Sequence, residues 1–160
     1  MVYLDLLRLA HVLGACVLIG TGAGIAFFML MAHRTRDAAF VARTAAVVVV
    51  ADTIFTATAA IAQPITGLLL MKETGWGLTD GWLAASLFLY VFIGLFWLPV
   101  VVIQIRMRDD ARLSAKAGLE LSDRYLRLYR TWFLCGIPAF VAIVVLLWLM
   151  VNRPDVPMPF

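Results

Sequence analysis

The sequence predicts an all-α, polytopic membrane protein: a bundle of four transmembrane helices forming a single domain over residues 1–160, with both termini periplasmic. Three observations carry that expectation. Of the 160 residues, 64% are hydrophobic and only 14% charged, about half the ~25% usual in a soluble domain. Four apolar runs, at about residues 3–32, 38–71, 82–105 and 125–151, each exceed the roughly 20 residues needed to cross a bilayer core. The connections between them are too short for a second domain. The net charge of +3 does not indicate a nucleic-acid partner, because the basic residues border the apolar runs and form no patch interleaved with aromatics.

The first run, Tyr3 to Ala32, carries no charge beyond Asp5 and Arg8. It lacks a basic leader and a short apolar stretch ending at a cleavage site, so it is expected to persist as a helix. His11 lies inside it, and an ionisable group within a span is a functional candidate by default. On a 3.6-residue period His11 shares its face with Arg8, Gly14, Ala15, Leu18, Gly22, Ile25, Ala26, Met29 and His33. The small residues among these leave room either for a neighbouring helix or for a flat ligand under the imidazole. A structural alternative is that both faces serve packing and His11 only makes a hydrogen bond. The opposite face, with Cys16, Gly20 and Gly24, forms a small-xxx-small seam. Cys16 and Cys135 both fall inside runs and are expected to be free thiols packing as small apolar groups.

After the charged turn His33 to Asp37, the second run is long for one crossing and is expected to tilt or project. Asp52, Thr56, Ala59, Gln63, Thr66 and Leu70 line one face of it, a polar stripe turned into the bundle. A carboxylate at that depth has to pair with a cation or stay neutral as a donor, and it serves either as an interhelical hydrogen-bonder or as a proton relay. Pro64 is expected to kink the helix beside these polar groups. The Gly-rich turn 72–81 holds Trp76, and Trp82 opens the third run at interfacial depth. In that run Ser86, Tyr90, Trp97 and Gln104 share a face, and Pro99 interrupts the ladder. Residues 106–124 are expected to form a solvated, partly helical cytoplasmic hairpin. The fourth run has Pro138 in its first half and reads as scaffold, with Arg127 and Arg130 at its entry placed to snorkel to lipid phosphate.

Orientation follows from the thirteen Lys and Arg residues. Arg34, Arg36, Arg43, Arg106, Arg108, Arg112, Lys116, Arg124, Arg127 and Arg130 border one end of the spans, and only Arg8, Lys72 and Arg153 the other. The positive-inside rule then puts both termini in the periplasm of a bacterium, with the chain in its inner membrane. His11, ~13 Å into its helix at 1.5 Å per residue, falls in the outer half. Gln63, Thr66, Ser86 and Tyr90 lie at comparable depth, so three polar faces converge at one level.

The chemistry of that level narrows the function. No paired carboxylate lies near the membrane centre, and a Ser-His-Asp set, a phosphate-binding Gly loop and a Cys or His cluster at zinc spacing are missing from the sequence. A lone imidazole beside glycines, with an arginine one turn away, fits axial ligation of a single haem b. His11 would bind the iron and Arg8 a propionate. Gly14 would leave space for the macrocycle, and Gln63, Thr66, Ser86 and Tyr90 would line the pocket. The other histidine, His33, sits near the opposite face, so the sixth position is open or filled by an unassigned residue.

Through Leu18 to Phe28 (LIGTGAGIAFF), Gln63-Pro64-Ile65-Thr66-Gly67 and Phe96-Trp97-Leu98-Pro99, the whole chain resembles a widespread family of bacterial inner-membrane proteins classed as a domain of unknown function, a likeness that implies fold and not activity. More distantly it resembles HemJ-type protoporphyrinogen oxidases and CopD-type copper-resistance proteins. That likeness rests on Arg8 three before His11, His33 ending the first span, Gly67-Leu68, Trp82-Leu83, and Arg130 with Pro138. In the HemJ-type group the first histidine is implicated in binding haem b and a lysine in the third span is also needed. Ser86 stands where that lysine would fall, and Cys135-Gly136 replaces an Asn-Glu pair before the proline. These departures speak against protoporphyrinogen oxidation and leave haem at His11 open. The leading expectation is therefore a small haem b protein with a redox, electron-transfer or sensing role. The alternatives are a cofactor-free scaffold or accessory subunit, associating as a homo-oligomer or in a larger complex through Gly20 and Gly24, and a metal or small-solute permease using Asp52.

Overall fold

The computed structural model describes residues 2–156. Four helices build it: α1 (Val2–Thr35), α2 (Ala38–Thr74), α3 (Gly81–Lys116) and α4 (Asp123–Asn152), each long and apolar enough to cross a membrane. Their outward faces carry large apolar side chains, among them Phe27, Phe28, Val47, Ile61, Phe88, Leu95, Val141 and Trp148, all exposed. Water would make such a surface untenable, whereas lipid tails solvate it and each helix satisfies its own backbone. The chain is thus an integral membrane protein whose helices contact the bilayer.

Local chemistry sets the turns. Arg36 adopts φ 60° and Asp37 caps α2, its Oδ1 accepting from the backbone N–H of Ala39 (2.8 Å) and Phe40 (3.2 Å), which satisfies orphan donors of the first turn. Gly75, at φ 75°, ends α2 in the left-handed conformation that a residue without Cβ adopts freely. Ser122 caps α4 by accepting from Tyr125 N–H at 3.0 Å and also donates to Asp110.

The third helix runs well past the end of its apolar run. The segment Arg106 to Lys116 continues α3, and the hairpin shrinks to residues 117–122. Asp109, paired with Arg108 (2.8 Å) and Arg112 (3.8 Å), supports the extension through neighbours on the helix surface. A 36-residue helix is ~54 Å long at 1.5 Å per residue, against a hydrocarbon core of ~30 Å. Its charged end therefore projects into water.

The tightest packing lies at this arginine-rich end. Met29 and Ala32 of α1, Val41, Ala45 and Val48 of α2, Met107 and Ala111 of α3, and Tyr125 and Trp132 of α4 form one buried cluster. Alanines at 32, 42, 45 and 111 let the backbones approach closely. Midway along α2 the hydrogen-bond pattern widens into a π-turn at Asp52–Thr56, where Ala57 N–H reaches back to Asp52 C=O. Pro64 lies within the helix, past this π-turn. Before the π-turn α2 packs against both α1 and α3; after it, α2 packs against α1, and its backbone no longer approaches α3 closely. The π-turn, which adds a residue to one turn, lies at the level where α2 parts from α3 while staying beside α1.

Candidate functional site

Polar side chains gather at two levels of the bundle. At the first, in the half holding both chain ends, His11 of α1 meets α2. His11 Nδ1 lies 2.8 Å from Thr66 Oγ1. The Thr66 hydroxyl also lies near backbone carbonyls of its own helix, Ala62 C=O at 2.8 Å and Gln63 C=O at 3.2 Å. Its single proton serves either these carbonyls or His11; when it goes to Ala62 C=O, Thr66 accepts from His11, the tautomer with the imidazole proton on Nδ1 and the Nε2 lone pair free. Nε2 forms no hydrogen bond among the described residues, and the ring is only half-buried. One turn earlier on α2, Gln63 Nε2 donates to His11 C=O at 2.8 Å.

Gly14 makes this approach possible. A Cβ on Gly14 would collide with the Gln63 amide, and one on Gly67 would lie 3.4 Å from His11 Cε1. Of the two uses open to the small residues beside His11, close approach of a neighbouring helix is the one seen at Gly14. Gly22 meets nothing within 4 Å, and neither does Gly20; Gly24 touches only Phe28 of its own helix.

The remaining residues of this level divide. Tyr90 of α3 donates from its hydroxyl to Ala60 C=O of α2, bridging the two helices where their backbones have separated. Ser86 is buried at 2% exposure, but its hydroxyl donates to Trp82 C=O one turn back, at 2.7 Å. It satisfies itself within α3. Arg8 is exposed and pairs loosely with Asp5 at 3.7 Å. The structure thus brings together His11, Gly14, Gln63, Thr66 and Gly67, joins Tyr90 to the same helix, and leaves Ser86 and Arg8 outside that contact set.

The second level surrounds Asp52, at 4% exposure. The sequence expectation offered a cation or a neutral donor role; among the described residues no cation pairs with it. Its Oδ1 accepts instead from Trp97 Nε1 at 3.3 Å. With the Gln104 amide turned so that its nitrogen faces the carboxyl group, Gln104 Nε2 donates to Asp52 Oδ2 and Gln104 Oε1 accepts from Trp132 Nε1, both at 3.1 Å. One carboxyl group, one amide and two indoles tie α2, α3 and α4 together. Periodicity had put Trp97 and Gln104 on the face of Ser86 and Tyr90. The link to Trp132 was missed, because an indole near the start of a span carries no signal of its partner.

No curated protein and no solved structure matches the chain. The profile of the family described as predicted integral membrane proteins (DUF2269) matches residues 5–154, which hold all four apolar runs, and the chain belongs to that family.

Proposed function

We propose that the chain is a haem b-binding protein of the bacterial inner membrane, with a redox, electron-transfer or sensing role, and that His11 Nε2 is the axial ligand in the periplasmic half of the bundle. The observation that carries this reading is the hydrogen-bond chain from His11 through Thr66 to the Ala62 carbonyl. An imidazole whose Nδ1–H is held by a fixed acceptor presents Nε2 with the ring orientation locked, the arrangement usual for metal-bound histidines. Gln63 fixes the backbone at His11 from the other side. Arg8, one turn before His11 and only loosely held by Asp5, has donors for a carboxylate such as a propionate. At the same level Tyr90 of α3 bridges to α2, and Ser86 is buried on α3. A bound haem would supply one-electron or gas-binding chemistry. The residues themselves hold, orient and shield it.

The test is the absorption spectrum of protein purified from its membrane. A Soret band is expected, lost in His11→Ala while the helix content is kept, and little changed in His33→Ala. If protein supplied with excess hemin gives only the spectrum of free hemin, the reading fails. A second reading, a cofactor-free accessory subunit, is favoured by the seam of Gly20 and Gly24, where a Cβ at Gly20 would meet nothing within 4 Å and one at Gly24 only Phe28 of the same helix, leaving room for a partner helix. Cross-linking through cysteines placed at Gly20 distinguishes it, since a scaffold gives a discrete product with or without colour.

A further inference from the structure

At the arginine-rich end of the bundle, away from His11, a cavity of about 360 Å³ opens between the α1–α2 turn and the start of α4. Its lining joins two guanidinium-bearing residues, Arg36 and Arg130, to an aromatic and apolar wall of Tyr129, Leu126, Phe133 and Leu134, with His33 at its base. His33 stacks on Tyr129, ring centroids 3.7 Å apart and planes within 9°, and Tyr125 lies behind at 5.8 Å from His33. Around the cavity three buried polar atoms, His33 Nδ1 and the hydroxyls of Tyr125 and Tyr129, have no hydrogen-bond partner among the described residues. Buried polar atoms are ordinarily satisfied. Among the described residues the ion pairs are Arg8–Asp5 and those of Asp109 with Arg108 and Arg112, so neither Arg36 nor Arg130 is neutralised.

We propose that this cavity is a binding site for one anionic phospholipid, its headgroup phosphate between Arg36 and Arg130 and its acyl chains running along Phe133 and Leu134. The charge pattern argues for that occupant. Two uncompensated guanidinium groups favour a phosphate oxyanion, which they bind through paired N–H donors. The site lies where the helices pass from the apolar core to the arginine-rich turns, the depth of lipid headgroups. Phe133 and Leu134 are 42% and 56% exposed and continue the wall into the span, so the ligand needs an apolar tail below its charge. A soluble phosphate has none. The sequence puts Arg127 beside Arg130 at the level of lipid phosphate, but the structure separates them: Arg130 lines the cavity and Arg127 does not, so Arg127 serves as the control.

The experiment is native mass spectrometry of the full chain, released from detergent after titration with phosphatidylglycerol or phosphatidylcholine. One phosphatidylglycerol per chain is expected, retained about tenfold more strongly than phosphatidylcholine, in line with charge-assisted contacts. Arg36→Gln with Arg130→Gln should abolish that preference, Arg36→Lys with Arg130→Lys should keep most of it, and Arg127→Gln should leave it unchanged. Melting in phosphatidylcholine micelles reports whether each variant is folded, and the lysine pair keeps the question answerable if the glutamine pair unfolds. Equal retention of both lipids overturns the proposal. So does an equal loss in Arg127→Gln, which indicates a diffuse surface charge, or displacement of the lipid by millimolar inorganic phosphate, which indicates a free-anion site.

Discussion

Replacing Asp52 by leucine removes the acceptor for two buried donors at once. Trp97 Nε1, at 3.3 Å, and Gln104 Nε2, at 3.1 Å, both point at its carboxyl group, and the site is 4% exposed. In water an orphaned buried donor costs about 1–3 kcal/mol. Inside a membrane measured hydrogen bonds between helices average about 0.6 and reach about 1.7 kcal/mol, so two of them give about 1–3 kcal/mol for Asp52→Leu. Asparagine behaves differently. Its single oxygen accepts from one donor while its NH₂ faces the other. Turning the Gln104 amide to meet that NH₂ takes the acceptor from Trp132 Nε1, so one donor stays unpaired in either orientation. Asp52→Asn should therefore lose about half as much as Asp52→Leu, ~0.6–1.5 kcal/mol on the same scale. The assay is unfolding in mixed micelles titrated with a denaturing detergent, followed by helicity. Trp97→Phe added to Asp52→Leu removes one orphaned donor and should make the pair less destabilising than the sum of the singles. Additive losses, or full tolerance of Asp52→Leu, would refute the account of Asp52 as the centre of a three-helix polar joint.

The glycine contact gives a second expectation: Gly14→Val drives a side chain into the Gln63 amide and should destabilise by about 1–3 kcal/mol as an overpacked site, with partial rescue by Gln63→Ala in the same micelle titration. Thr66→Val removes the acceptor of His11 Nδ1 without changing the size of the side chain. In the haem reading it should weaken haem retention about tenfold, as loss of an outer-shell partner does, measured by transfer to apomyoglobin; unchanged transfer would detach Thr66 from the ligand's role. The ten-to-three distribution of Lys and Arg predicts that both chain ends are exported. A reporter active only in the periplasm, fused at the carboxyl terminus, should be active, and a cytoplasmic signal there would reverse the orientation. Arg153, whose guanidinium lies 5.7 Å from the Trp76 ring and 5.8 Å from that of Trp82, should contribute about 0.5–1 kcal/mol through these contacts, read as a lower melting temperature in Arg153→Ala.

The two polar levels differ in how much of them a single strand of sequence can show, and the difference is physical. The four spans were legible because a bilayer imposes a length and a composition on anything that crosses it. The faces of α2 and α3 were legible as well: Asp52, Thr56, Ala59 and Gln63 are buried together, as 3.6-residue spacing implies. What spacing does not encode is the phase between two helices. Ser86 shares a helical face with Tyr90, yet one hydroxyl closes on its own helix and the other crosses to α2. The π-turn marks where the two levels divide. α2 adds a residue to one turn at Asp52–Thr56, the level past which its backbone parts from α3 while staying beside α1, so its polar stripe reaches α3 at Asp52 and α1 at Gln63 and Thr66. The widened turn therefore lies between the two uses of one stripe, Asp52 in the joint among α2, α3 and α4, and Thr66 with the histidine of α1.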